Sequence, residues 1–449
     1  MVLAYLFTIV ELRTDGDPRP SGSLDDIDAL ASRDDLNILF VLVDTLRADR
    51  LGSWGYERDT SPLIDRLART GVRFDRHLAQ SSWTKCSMAS LWTGLYPARS
   101  GVTRYDHVTS PEARLPAEIL RDAGFRTAGI FRNGWVAPNF GFAQGFETYH
   151  RPRPIPLRAS ERRENPTLSV EGTDVSAIDS AISFLRAYGS ERWFLYLHLM
   201  DIHEYVYDAD SARFGTSYSD AYDQSILRLN RVLESLVAYL WEHDLADKTL
   251  IVIASDHGEA FGERGFEGHA RNVYPEVTEV PLVLSFPFRL EPGLEVKVRT
   301  ENVDIWPTIL ELAGLPPLEP SDGRSLVPLI RAAARGESLA EDGRAAIAHL
   351  DESWGREGQE AAPNVAVTSG DYRLVTRSGA HPGEELFDRR DDRFETSDVL
   401  AQNPEIAARL RERLRDYLES QPPWSEGTPT VELNEMELNQ LRALGYKVP

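Results

Sequence analysis

Four stretches of the chain are rich in apolar residues and stop abruptly at polar ones: Leu36–Val43 (LNILFVLV), Gly124–Phe131 (GFRTAGIF), Trp193–Met200 (WFLYLHLM) and Thr249–Ala254 (TLIVIA). Short runs of this kind, with β-branched and aromatic residues and no strict alternation, predict strands buried on both faces of a parallel sheet. Between them apolar positions recur at helical spacing over Ser61–Thr70, Leu115–Ala123 and Ser219–Asp244. Strand and helix in alternation predict an α/β fold with a large, mainly parallel central sheet flanked by helices. Open sheets of this kind hold ligands outside the carboxyl ends of their strands. The residues that follow the four runs are therefore the first candidates for chemistry: Asp44, then Arg132 and Asn133, then Asp201 and His203, then Asp256 and His257.

A fifth stretch, Ser81–Gly94 (SSWTKCSMASLWTG), passes from polar residues into small and apolar ones at helical spacing, with Thr84 where the helix would begin. Unpaired N–H groups and the positive end of the helix dipole favour an oxyanion or phosphoryl group there, so Thr84 stands where a nucleophile would. Cys86, the chain's one cysteine, is expected to be a small buried side chain. Taken alone, Asp44 reads as a helix cap. Asp256 and His257, a hard carboxylate beside an imidazole on a glycine-containing turn, can reach one divalent ion from two sides. His198, inside an apolar run, is expected to be a satisfied core histidine, and Asp201 either binds a second metal or orients His203.

The stretch SSWTKCSMASLWTGLYP resembles the active-site segment of the sulfatases in the alkaline phosphatase superfamily. In those enzymes a formylglycine precursor lies nine residues before a closing Thr-Gly. Counting back nine from Thr93 reaches Thr84, with Cys86 and Met88 where the family has its proline and arginine. Threonine cannot become formylglycine, so the resemblance is to the threonine-nucleophile branch, which includes phosphodiesterases and phosphoalcohol transferases. VDTLRADRLGSWGY, HLMDIHEY and SDHGE followed by FGERG resemble further family segments in the family's order. The resemblance implies metal binding by Asp44, Thr84, Asp256 and His257, catalysis by Thr84 with His203 and His269, and substrate contacts from Arg132 and Asn133. It implies one divalent ion (Mn, Zn, Ca or Mg), room for a second through Asp201 and His269, and no formylglycine. YPEVTEVPLVL (an extended segment) and VDIWPTILELAGLPPL (a helix) also look like sulfatase segments. VAVTSGDYRLVTR and EELFDRRDDRFETSDVL resemble the family's small C-terminal α+β subdomain, an antiparallel sheet closed by a helix over Pro404–Leu418. The expected organisation is a segment and linker over 1–35, a catalytic domain over 36–335 and a C-terminal subdomain with a docking tail over 336–449. Asp388–Asp392 is expected to be a solvated charge run.

Composition narrows the partners. With 71 acidic and 49 basic residues the formal charge is −22, which argues against a nucleic-acid-binding face. A single cysteine excludes an intramolecular disulfide framework and leaves the compartment open. The opening MVLAYLFTIV is too short to span a bilayer and reads as a packed apolar segment or the remnant of an anchor, so a periplasmic or membrane-associated location stands beside a cytoplasmic one. Glu11–Asp35 is expected to be a linker or disordered lead, and Arg151–Thr173 a surface loop. The expected substrate is a small anionic ester or a lipid or glycan headgroup. The expected activity is metal-dependent cleavage of phosphate esters or diesters, or of sulfate esters, through a covalent Thr84 intermediate. Phosphoryl transfer is favoured, because a sulfo-threonine must be hydrolysed at sulfur. A phosphoalcohol transferase of the same fold and a non-catalytic anion-binding protein are the alternatives.

Overall fold

The computed structural model describes residues 17–155, 172–339, 341, 343–356, 358–379, 381–435, 438–439 and 442. The opening apolar segment, most of the Arg151–Thr173 stretch and most of the tail lie outside the described residues.

Strands are numbered in chain order. The run Leu36–Val43 forms β1 (Asn37–Val43), buried at all seven positions. β2 (Val72–Leu78), β3 (Arg126–Phe131), β4 (Thr148–His150), β5 (Trp193–Leu199) and β6 (Thr249–Ala254) follow. A small hairpin, β7 (Ala260–Phe261) and β8 (Glu267–Gly268), precedes β9 (Leu282–Ser285) and β10 (Leu294–Glu301). The central sheet has eight strands in the order β10-β2-β9-β6-β1-β5-β3-β4. β1 pairs in parallel with β5 on one side and β6 on the other, so Ile38 lies opposite both Phe194 and Leu250.

Pleating divides β1 between two cores. Ile38, Phe40 and Leu42 pack on one face with Trp92 and Trp306, from the helices Thr84–Thr93 and Ile305–Leu312. Leu39, Val41 and Val43 pack on the other with Leu63, Ala181 and Leu229, from the helices Pro62–Arg69, Asp174–Tyr188 and Tyr218–Glu242. The continuous apolar pattern of the central strands follows from this double coverage.

Three expectations change. Residues 17–35 are not a disordered lead: Leu24–Ala29 is helical, Ile27 and Leu30 are buried in the core, and Ser21 bridges to Arg289. Tyr274–Leu284 is not extended throughout, because Pro275–Thr278 forms a helical turn before β9, and β9 runs antiparallel to both β2 and β6. In the charge run Asp388–Asp392, Arg389 is buried against Glu279 and Glu395 rather than solvated.

Towards the C-terminus β11 (Ala346–Asp351), β12 (Pro363–Ser369), β13 (Tyr372–Arg377) and β14 (Gly383–Asp388) form an antiparallel meander. The helix Pro404–Glu419 lays Ala407, Leu410 and Tyr417 on it. This unit meets the segment that leads into the Thr84 helix directly. The His349 N–H of β11 donates to the Gln80 carbonyl (2.8 Å), and the His349 ring is hydrogen-bonded to the Tyr417 hydroxyl (2.7 Å). No described helix is long and apolar enough to cross a membrane.

Candidate active site

The helix Thr84–Thr93 is buried at every position, and Thr84 is its first residue. Ser87, one turn on, donates its hydroxyl to the Asp256 carbonyl (2.6 Å), fixing the helix start against the loop after β6. β1 and β6 are neighbours, so Asp44 and Asp256 leave the sheet side by side. Thr45 sits in the left-handed region (φ 62°) and points its N–H at Asp256 Oδ1 (3.4 Å). A non-glycine residue held there costs on the order of 1 kcal/mol, which the crossed hydrogen bonds of this loop offset.

The Thr84 hydroxyl lies 3.1 Å from His257 Nε2 and accepts from Asn133 Nδ2 at 3.3 Å. Asn133 also donates to Asp44 Oδ2 (2.6 Å), and His198 Nε2 lies 3.1 Å from the same oxygen. His257 Nδ1 faces the Gly258 carbonyl at 3.0 Å, an arrangement that places the proton on Nδ1 and leaves Nε2 as a donor atom for a ligand. Asp44 Oδ1 and Asp256 Oδ2, both buried, have no hydrogen-bond partner among the described residues. These two oxygens and His257 Nε2 converge: one ligand atom from each of Asp44, Asp256 and His257 lies within 4.8 Å of the others.

Two facing buried carboxylates without a counter-charge are unfavourable. Burial and the charge of Asp44 push the Asp256 carboxyl well above its ordinary range. Burial also acts to raise Asp44, but the facing His203, the His198 hydrogen bond and His257 outweigh it and hold Asp44 ionised. Burial, with His269 adding repulsion, lowers the His257 imidazole to about 3, so it is a neutral ligand. Orphaned carboxylate oxygens beside a neutral imidazole fit a divalent cation, whose charge removes the repulsion between them.

His269 and His203 complete the cluster. The His269 ring centroid is 4.6 Å from that of His257 and 4.9 Å from that of His203. Both are partly exposed while Thr84, Asp44, Asp256 and His257 are fully buried, so these two histidines are the side of the cluster that solvent reaches.

Other expected residues lie elsewhere. Arg132 does not face Thr84: its guanidinium donates to Asp174 (2.8 Å), Asp201 (2.7 Å), Glu204 (2.6 Å) and the Gly172 carbonyl (2.8 Å). Asp201 is not placed to hold a second ion, since Arg132 takes one of its oxygens and Arg228 the other. The cluster instead clasps the loop that carries Asn133 to the loop that carries His203. Arg132→Met therefore leaves Asp174 and Asp201 buried with less compensation, at an expected cost of about 3–5 kcal/mol in denaturant unfolding. Unchanged stability with a raised KM would return Arg132 to the substrate.

Cys86 packs into the core, its Sγ 3.8 Å from the His349 carbonyl, and burial pushes its thiol up to about 12. His198 is buried with both ring nitrogens partnered, as a core histidine would be, yet one of those partners is Asp44. Sequence reasoning missed that contact, and it assigned no role to Lys85 or Glu259. Lys85 is fully buried, donating to the Tyr105 carbonyl (2.6 Å) with its ammonium nitrogen 3.8 Å from the Phe140 ring centroid.

Residues 36–315 match the sulfatase family, and residues 262–420 match the C-terminal region of N-sulphoglucosamine sulphohydrolase. The chain belongs to the sulfatase family, and it is a hydrolase of ester bonds. It is 27% identical over 450 residues to the choline-sulfatase of Rhizobium meliloti strain 1021, covering 82% of this chain and 83% of that protein. It is 26% identical over 438 residues to the steryl-sulfatase of Mus musculus, covering 73% and 69%. Its fold is that of the phosphonate monoester hydrolase of Agrobacterium radiobacter, with a TM-score of 0.69 at 19% identity over 89% of this chain and 100% of that one.

Proposed function

We propose that the chain is a metal-dependent hydrolase of sulfate or phosphate esters that uses Thr84 as its nucleophile. The observation that carries this reading is the position of the Thr84 hydroxyl. It opens a buried helix, 3.1 Å from His257 Nε2, at a point where two orphaned carboxylate oxygens converge. Two names among the relatives, choline-sulfatase and steryl-sulfatase, support a sulfate ester. The phosphonate monoester hydrolase fold and the threonine support phosphorus as the alternative centre.

Asp44, Asp256 and His257 would hold the cation, which when bound neutralises an ester oxygen and lowers the pKa of a nearby hydroxyl. The Thr84 hydroxyl gives up its proton to solvent, its oxygen bonds to sulfur or phosphorus as the bond to the ester oxygen breaks, and the departing alcohol takes a proton from His203 or His269. Water then attacks the same centre, returning a proton to the histidine and releasing sulfate or phosphate (a phosphate monoester from a diester), and the Thr84 oxygen regains its proton from solvent. The helix N-terminus stabilises the non-bridging oxygens, and Asn133 holds Asp44 and the threonine in register.

Brief incubation with an aryl sulfate or an aryl phosphodiester and each of manganese, zinc, calcium and magnesium, followed by peptide mass spectrometry, is expected to give an adduct on Thr84. A sulfo adduct assigns sulfate esters and a phosphoryl adduct assigns phosphate esters. Formylglycine at Cys86 overturns the choice of nucleophile.

A further inference from the structure

His198 takes no part in the reaction steps described so far, yet it is fully buried and its Nε2 lies 3.1 Å from Asp44 Oδ2. The topology puts it there. In the register of the sheet, His198 on β5 lies opposite Leu42 on β1 and opposite Phe131 on β3. Asp44 and Asn133 each stand two residues beyond those partners, which brings the three side chains together at the sheet's carboxyl edge. Asn133 Nδ2 (2.6 Å) and His198 Nε2 converge on the same Asp44 oxygen, Oδ2. The other oxygen, Oδ1, has no hydrogen-bond partner among the described residues and lies 3.8 Å from His257 Nε2.

His198 is itself held. Its Nδ1 lies 2.8 Å from the hydroxyl of Tyr196, two residues earlier on the same face of β5. Tyr196 stacks on Phe40 (ring centroids 5.9 Å apart) and meets Trp92 edge to face (5.0 Å), a residue of the helix that Thr84 opens. Burial pushes the Tyr196 phenol well above its ordinary range, so the hydroxyl keeps its hydrogen. An ionised carboxylate only accepts, so the His198 nitrogen facing Asp44 carries a hydrogen. The neutral tautomer that accepts from Tyr196 and the charged ring both have Nε2–H, so the contact is the same in either form.

Asp256 is arranged in the same way. Its Oδ1 accepts from the His257 N–H (3.0 Å) and the Thr45 N–H (3.4 Å), while its Oδ2 is open. The atoms left facing the centre are one oxygen from each carboxylate and His257 Nε2, with the Thr84 hydroxyl 3.1 Å from that nitrogen. So small a set, with an imidazole in it, suits zinc, which is held tetrahedrally by nitrogen, sulfur or oxygen. Calcium takes about six to eight oxygens and often both from one carboxylate.

We infer that His198 is a positioning residue for Asp44: with Asn133 it closes Oδ2, so that Asp44 offers a cation one oxygen and the site selects zinc over calcium. The inference rests on the reading of Asp44, Asp256 and His257 as the residues that hold the cation. His198 is not a member of that converging set, since its Nε2 faces the closed oxygen. Without His198 the Asp44 carboxylate is freer to turn and present both oxygens, the mode that calcium uses.

The test is competitive titration calorimetry of zinc and calcium on the whole chain freed of metal. In His198→Leu zinc affinity is expected to fall by about 10–100-fold and calcium affinity much less, so the zinc-over-calcium ratio drops. His198→Gln, which can still donate to Oδ2, is expected to recover most of the ratio. Tyr196→Phe keeps the ring contacts with Phe40 and Trp92, and is expected to lower the ratio by a smaller factor even if His198→Leu does not fold. Nitrogen-15 NMR of the metal-free wild type is expected to show the hydrogen on His198 Nε2. Equal losses for the two ions, a ratio that neither variant changes, or a bare Nε2 would each overturn the inference while leaving the cation site in place. A wild type that binds neither ion removes the cation site itself, and the inference with it.

Discussion

Thr84→Ala is expected to lose turnover by about four orders of magnitude or more, as enzymes do when a nucleophile acting with its partners is removed. Its fold should survive, since the change deletes a small side chain at the first residue of a helix whose other nine positions stay packed. Cys86→Ala is expected to do the opposite. It sits two residues on, but its sulfur faces the His349 carbonyl rather than His257, so activity should stay within about twofold, while the small cavity costs about 1 kcal/mol. Steady-state kinetics with thermal unfolding on the two variants side by side decides the matter. A dead Cys86→Ala beside an active Thr84→Ala would remove Thr84 from the mechanism.

The second large effect concerns the cation. Adding a divalent ion to the metal-free wild type should raise its melting temperature, since saturation at a hundredfold excess over Kd contributes about 2.7 kcal/mol. Asp256→Asn should abolish that response and weaken binding by at least about a hundredfold, because losing even an outer hydrogen bond to a ligand costs up to that much. Without metal the order should reverse. The wild type then faces two buried carboxylates with orphaned oxygens, and neutralising one should make the metal-free variant more stable by about 1–2 kcal/mol. Calorimetry with manganese, zinc, calcium and magnesium measures both parts. If none of the four ions shifts the wild type, the Asp44, Asp256 and His257 cluster is not a metal site.

Much of the frame was legible because burial on both faces of a parallel strand leaves a continuous apolar run. β1, β5 and β6 were readable for that reason, and with them the positions of Asp44 and Asp256 at the sheet's carboxyl edge. An apolar run does not carry direction, however. β9 has the same composition as its neighbours and runs against them, a fact set by the helical turn Pro275–Thr278 ahead of it. Nor does sequence say where a long side chain turns after leaving a strand. Arg132 and Asn133 are adjacent, yet the asparagine reaches Asp44 and the arginine turns away to three carboxylates contributed by segments as far on as residue 204. Glu259 was visible only as a letter in a motif. Its contact with His269 depends on a four-residue ladder too short for periodicity to reveal, although the glycines at 262 and 265 mark the turn between its strands.

The contact between β11 and the segment that leads into the Thr84 helix bears on how the protein is made. The Gln80 carbonyl waits for the His349 N–H, and His349 waits for the hydroxyl of Tyr417. As the chain leaves the ribosome, the first strands can pair once β6 has been synthesised, but the support behind Thr84 is incomplete until more than three hundred further residues have followed it. A nascent chain therefore carries Thr84 through the whole interval up to Tyr417 before that support exists.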